Sequence, residues 1–110
     1  MKLKEMDLMN TNKNKEVADL KEYTTKYKTI LKLALNTIKQ NIKNESHLKD
    51  MAVDFLSMAN NYLKDGEVLE KKGDLVRALA SYSYAYAWID AGVRVGLFYG
   101  TDNKLFTLYK

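Results

Sequence analysis

Between Gly73 and Gly100 the chain carries apolar residues on nearly every face of a helix, and this run constrains the fold more than any other. Leu75, Leu79, Tyr82, Tyr86, Ile89, Val93 and Leu97 recur at steps of three and four, the period of a helix face turned to a core. A second row is small: Ala78, Ala85, Gly92 and Gly96. Small side chains let a neighbouring backbone come close, which offsets the roughly 1 kcal/mol that a mid-helix Gly costs relative to Ala. A third row, Tyr84, Trp88, Ala91 and Val95, lies on the far side. A helix that is apolar all round is either central in a bundle or part of an interface.

The rest of the chain supplies helices to pack against it. His47–Lys72 carries the stripe Leu48, Ala52, Phe55, Ala59, Tyr62, Gly66 and Leu69, whose alternating steps of four and three make a seam suited to shallow crossing. Ser46 is placed to cap its start. An earlier helix is expected from Glu16 to Lys43, with Leu20, Tyr23, Tyr27, Ile30, Ala34 and Ile38 as its core face. Acids near its start and Lys39 and Lys43 near its end complement the helix dipole. Lys71-Lys72-Gly73-Asp74 marks the sharpest boundary. There lysines close one helix, Gly73 fits the left-handed position beyond it, and Asp74 caps the next. Gly100 is expected to stop the third helix.

These elements predict an all-α fold, a three-helix up-and-down antiparallel bundle over residues 16–100. Residues 1–15 read as a short flexible N-terminal tail and 101–110 as a C-terminal extension. Leu105, Phe106, Leu108 and Tyr109 of that extension are placed to clamp back over the bundle. A chain of 110 residues is enough for one domain with one core. No Cys is present, which excludes disulfides, thiolate metal sites and Cys nucleophiles. One His, His47, excludes a His-rich metal site within one chain, and the absence of Pro suits long helices. No signal-like or membrane-spanning apolar run is present, so the cytosol is the expected location and no membrane partner is expected.

The segments Gly73-Asp74-Leu75-Val76-Arg77-Ala78-Leu79-Ala80-Ser81-Tyr82-Ser83-Tyr84-Ala85 and Trp88-Ile89-Asp90-Ala91-Gly92-Val93-Arg94-Val95-Gly96 resemble the archaeal family called domain of unknown function 357. The resemblance covers residues 20–100 and is most specific from Trp88 to Gly96. Tyr86-Ala87 stands where that family often carries His-Gly, so a role for that His does not carry over. The resemblance implies an archaeal, cytosolic three-helix bundle and brings no activity, substrate or catalytic residue. Tyr62, Gly66, Leu69, Ala78, Tyr82 and Ala85 are also similar in spacing to a single tetratricopeptide repeat. One copy implies close helical-hairpin packing, with Gly66 opposite Ala78 or Ala85, and not a solenoid.

Function is less legible. The net charge is +4, and residues 1–50 hold eleven Lys against seven acids, so the excess sits in that half. Lys21, Lys28, Lys32, Lys39 and Lys43 fall in a wedge of roughly 60° on the first helix. That row suits a phosphate backbone or another anionic surface. The simpler reading is a solvated face, because no Arg accompanies the lysines and the tyrosines lie on the core side. The row Tyr84, Trp88, Ala91 and Val95 suits a protein partner or a homo-oligomer, unless the third helix lies between the other two or under the C-terminal extension and buries it. Asp90 and Arg94, four apart, read as a structural pair, as do Gly66, Gly73, Asp74, Ala78, Ala85, Gly92 and Gly96 in their packing and capping roles. Asp50 and Asp54 share a face near the start of the second helix and Asp65 follows three turns later, but the Glu-x-x-His partners of helical metal sites are lacking. The expected protein is a non-catalytic interaction or self-association module, with no catalytic residue, cofactor or metal. The alternative is a nucleic-acid- or ribosome-associated accessory protein using the lysine row.

Overall fold

A computed structural model describes residues 13–40 and 47–100. They form α1 (Lys13–Thr37), β1 (Lys39–Gln40), α2 (His47–Lys71), α3 (Leu75–Arg94) and β2 (Phe98–Tyr99). The two short strands pair antiparallel, Lys39 opposite Tyr99 and Gln40 opposite Phe98. Because each strand directly follows a helix, α1 and α3 end at the same edge of the molecule, and α2 runs the other way between those ends. The fold is the all-α three-helix bundle expected. Helix α3 is its middle member, packing along both α2 and α1. No described helix is long and apolar enough to cross a membrane.

Two joined clusters make the core. At the strand end, Ala34, Ala52, Ala59, Ile89, Val93, Leu97 and Phe98 are buried together. Toward the α2–α3 turn, Leu31, Ala78, Tyr82 and Ala85 are buried, with Leu35 and Tyr86 packed against both clusters. Small residues let the helices approach at two points. A Cβ on Gly66 would overlap the ring of Tyr82, and one on Gly92 would overlap the ring of Phe98. Gly66 therefore faces Tyr82, not Ala78 or Ala85 as its spacing suggested. The close approach needs an absent side chain opposite a large ring.

The C-terminal ends of α2 and α3 are closed by the same device. After α2, Gly73 takes φ 81°, its N–H bonds Glu70 O at 3.0 Å and Asp74 N–H bonds Leu69 O at 3.0 Å. After α3, Gly96 takes φ 87°, with Gly96 N–H to Val93 O at 3.2 Å and Leu97 N–H to Gly92 O at 2.8 Å. These paired bonds satisfy carbonyls that a helix end leaves open, and the left-handed residue they need is Gly. Asp74 then caps α3, its carboxylate accepting from Arg77 N–H at 3.2 Å.

Three expectations are corrected. Helix α3 stops at Arg94 and not near Tyr99, because Gly96 and not Gly100 turns the chain. That turn brings Phe98 back over Gly92, where it is buried. Helix α1 runs from Lys13 to Thr37 and not from Glu16 to Lys43, so residues 13–15 are helical and Lys39 lies on β1. The core face of α1 is also turned from the predicted one. Thr24, Leu31 and Ala34 are fully buried, whereas Tyr23 is 53% and Tyr27 40% exposed. Thr24 tolerates burial because its hydroxyl donates to Leu20 O at 2.7 Å. The expected tail at residues 1–12, the cap at Ser46 and the clamp at 101–110 lie outside the described residues.

Candidate functional site

The two flanks of α2 are chemically different, and each meets one set of the residues singled out in the sequence. On the flank toward α1, Glu67 and Glu70 stand opposite two lysines. Lys28 lies 3.8 Å from Glu67 and 3.6 Å from Glu70, and Lys32 lies 3.3 Å from Glu67. The Tyr82 hydroxyl of α3 donates to Glu70 Oε1 at 2.7 Å. One polar cluster thus ties all three helices. Burial pushes the Tyr82 phenol well above its ordinary ionisation range, and the hydrogen bond to Glu70 and the negative charges of Glu70 and Glu67 add to the effect.

This arrangement corrects the lysine row. Lys28 is drawn partly inward by the turned face of α1, and Lys28 and Lys32 are used to neutralise acids of α2. Lys21 remains exposed on α1, Lys39 has left the helix for β1, and Lys43 lies outside the described residues. A single five-lysine helical stripe is therefore absent. The pattern of α1 alone did not show it, because the acids that claim two of the lysines lie more than thirty positions away on another helix.

The other flank of α2 is aromatic. Phe55 meets Trp88 edge to face, ring centroids 4.9 Å apart and planes at 82°. Tyr84 meets Trp88 at 6.2 Å and Tyr62 at 4.5 Å, both edge to face. The four rings form a chain along the α2–α3 seam. Above it opens a cavity of about 190 Å³ lined by Phe55, Tyr84, Ala87, Trp88 and Ala91. At Tyr84 it adjoins a second hollow of about 360 Å³ lined by Tyr62, Ala80, Ser81 and Tyr84. The walls are almost wholly carbon. The Trp88 indole N–H is buried with no acceptor among the described residues, a polar group whose desolvation costs roughly 1–3 kcal/mol.

Tyr84, Trp88 and Ala91 of the expected row thus line one groove. Val95 is 63% exposed at the end of α3 and is not part of its wall. Phe55, Tyr62, Ala80 and Ala87 line it as well, and sequence reasoning assigned the first two to the core. The signal was present in the α2 seam. Ala52, Ala59 and Gly66 recur every seven residues and are buried, so α3 lies close along that line. The bulky Phe55 and Tyr62 between them pack against the two core clusters on one side, as the sequence predicts, and line the groove on the other.

The chain's relationship to known proteins follows the same elements. A family described as "Protein of unknown function (DUF357)" matches residues 26–98, from the middle of α1 to the start of β2. The chain belongs to this family. In this member the matched region takes in Gly66, Gly73, Gly92 and Gly96, both faces of α2, and the whole groove. No curated protein matches the chain, and no solved structure does.

The remaining polar candidates are dispersed. His47, Asp50 and Asp54 are exposed in the first two turns of α2, and among the described residues no three His, Asp or Glu side chains converge where they could hold a metal. Asp90 is half-buried on α3, and Arg94 closes its last turn, where a cation suits the helix dipole. Ala78, Ala85 and Gly92 lie in the core face of α3.

Proposed function

We propose that this family member is a non-catalytic interaction module, and that the aromatic groove between α2 and α3 is where a protein partner docks. The observation that carries this reading is the open, carbon-lined cavity over Phe55, Tyr84, Ala87, Trp88 and Ala91. Interfaces are enriched in Tyr and Trp, and their strongest contacts sit in pockets that exclude water. Tyr84 remains 48% exposed in the chain alone, so it has surface left to bury. The flanking Ala80, Ala87 and Ala91 are exposed and small, which lets a second backbone come close.

The lysine face supports a nucleic-acid role less well, since Lys28 and Lys32 are spent on Glu67 and Glu70. A photo-crosslinking residue placed at Ala87 in the native host tests the proposal, with one at Lys21 as control. The expected outcome is a discrete protein adduct from position 87 and none from position 21. Equal labelling at both positions, or RNA binding that weakens steeply with salt and is lost on charge reversal of Lys21 and Lys32, would overturn it.

A further inference from the structure

Building on the docking reading, we infer that the occupant of the groove is an amphipathic helix with an apolar face and basic flanking residues. The first argument is shape. The groove runs along two packed helices, and its aromatic floor spans Phe55 to Tyr62 on α2 and Tyr84 to Ala91 on α3. That is about two turns, or roughly 10 Å, on each helix. Its α3 edge steps Ala80, Tyr84, Ala87, Ala91, the spacing of four and three that one helix presents to another. A helix laid there has one large ring to pack around and small residues on either side.

The second argument is charge. At about 100° per residue, Asp54, Met58, Asn61 and Asp65 form the α2 edge, next outward from Phe55 and Tyr62 and away from the Glu67–Glu70 flank. Asp54 and Asp65 are both exposed. Neither forms an ion pair with another described residue, in contrast to Glu67 and Glu70. On the α3 edge, the row Ala80, Tyr84, Ala87 and Ala91 carries no charge. The groove is thus apolar on its floor, uncharged on one edge and acidic on the other. Two carboxylates eleven residues apart, roughly 16 Å along the helix, match cations three turns apart on a docked helix.

The same edge disfavours the other occupants. In a two-fold pair whose axis lies across the helices, the acidic edge of one α2 would meet the acidic edge of the other, and like charges set against each other cost affinity. A phosphate backbone or an anionic membrane would meet the same carboxylates.

Two synthetic amphipathic helices test the inference. They share one Leu/Ala face, and one carries Lys and the other Glu at flanking positions eleven apart. Trp88 is the only Trp in the chain, so its fluorescence reports the groove directly. The Lys peptide is expected to shift Trp88 emission saturably and to bind about tenfold more tightly than the Glu peptide. The exposed double variant Asp54→Lys, Asp65→Lys, checked for folding by circular dichroism, should reverse that order. Equal affinity for both peptides, or an order unchanged in the variant, removes the basic helix but leaves a docking groove. A Trp88 signal that instead tracks reversible dimerisation of the chain overturns the inference in favour of a second copy. Failure of both peptides, with no adduct from position 87, removes the inference and the docking reading together.

Discussion

The two flanks of α2 show one helix satisfying its neighbours in opposite ways. Toward α1, polar groups pair across the helices: Tyr82 with Glu70, Lys28 with Glu67 and Glu70, Lys32 with Glu67. On the other side, aromatic rings pack on one another yet leave open space, and acids stand free of ion pairs with described residues. The first flank is closed and belongs to folding. The second presents more apolar surface than the fold consumes. The difference separates residues that hold the bundle from residues that the proposed function gives to a partner, although both sets look alike as Tyr, Ala and Asp or Glu in the sequence.

Substitution of the two core-facing and groove-facing tyrosines is the strongest way to break this contrast. Tyr82→Ala removes a fully buried ring and its bond to Glu70, and should cost about 3–5 kcal/mol in urea unfolding. Tyr84→Ala, at a half-exposed ring, should cost no more than about 1 kcal/mol while weakening partner capture. Next in size is Gly66→Val, whose added carbons collide with the Tyr82 ring. A loss of about 1–3 kcal/mol is expected, and Gly92→Val should act similarly by displacing Phe98.

Tyr82→Phe keeps the ring and removes only the hydroxyl, for an expected loss of about 1–2 kcal/mol. It also carries a pH signature. The folded state holds the Tyr82 proton more tightly than the unfolded chain, whose phenol titrates at its ordinary value of 10.0. Above that value the unfolded state binds fewer protons, so this contribution is full below pH 10 and lost as pH rises. The parent should therefore lose stability at alkaline pH by up to about 1.4 kcal/mol per unit more than Tyr82→Phe does. Matching alkaline profiles would mean that the fold does not hold the Tyr82 proton, against both its burial and its bond to Glu70. The smallest effect is expected at Lys32→Gln, where a half-exposed pair with Glu67 is worth less than about 1 kcal/mol and fades with salt.

The fold was legible where local chemistry decides it. Gly73 and Asp74 announced the α2–α3 turn, and the small row of α3 announced close packing. The sequence misled where two local options were both good. Gly96 and Gly100 each suit a helix stop, and only the burial of Phe98 over Gly92 selects Gly96. On α1, Tyr23 and Tyr27 kept helical period as well as Thr24 and Leu31 did. A tyrosine can sit half in water, however, and Thr24 can satisfy its hydroxyl on its own backbone. The groove was half legible. Its α3 wall stood out because α3 is apolar all round. Its α2 wall was hidden because Phe55 and Tyr62 share the period of the buried seam.

The central claim is that the exposed wall of the groove, Tyr84 and Ala87, is surplus to folding, whereas Phe55, Tyr62 and Trp88 also pack against the core. The most direct test is urea unfolding of the double variant Tyr84→Ala, Ala87→Arg, which removes one exposed ring and fills the adjoining wall. The account predicts a stability within about 1 kcal/mol of the parent, as expected for exposed positions. A loss of about 3 kcal/mol or more, the size of a core truncation, would contradict it and make the groove part of the core.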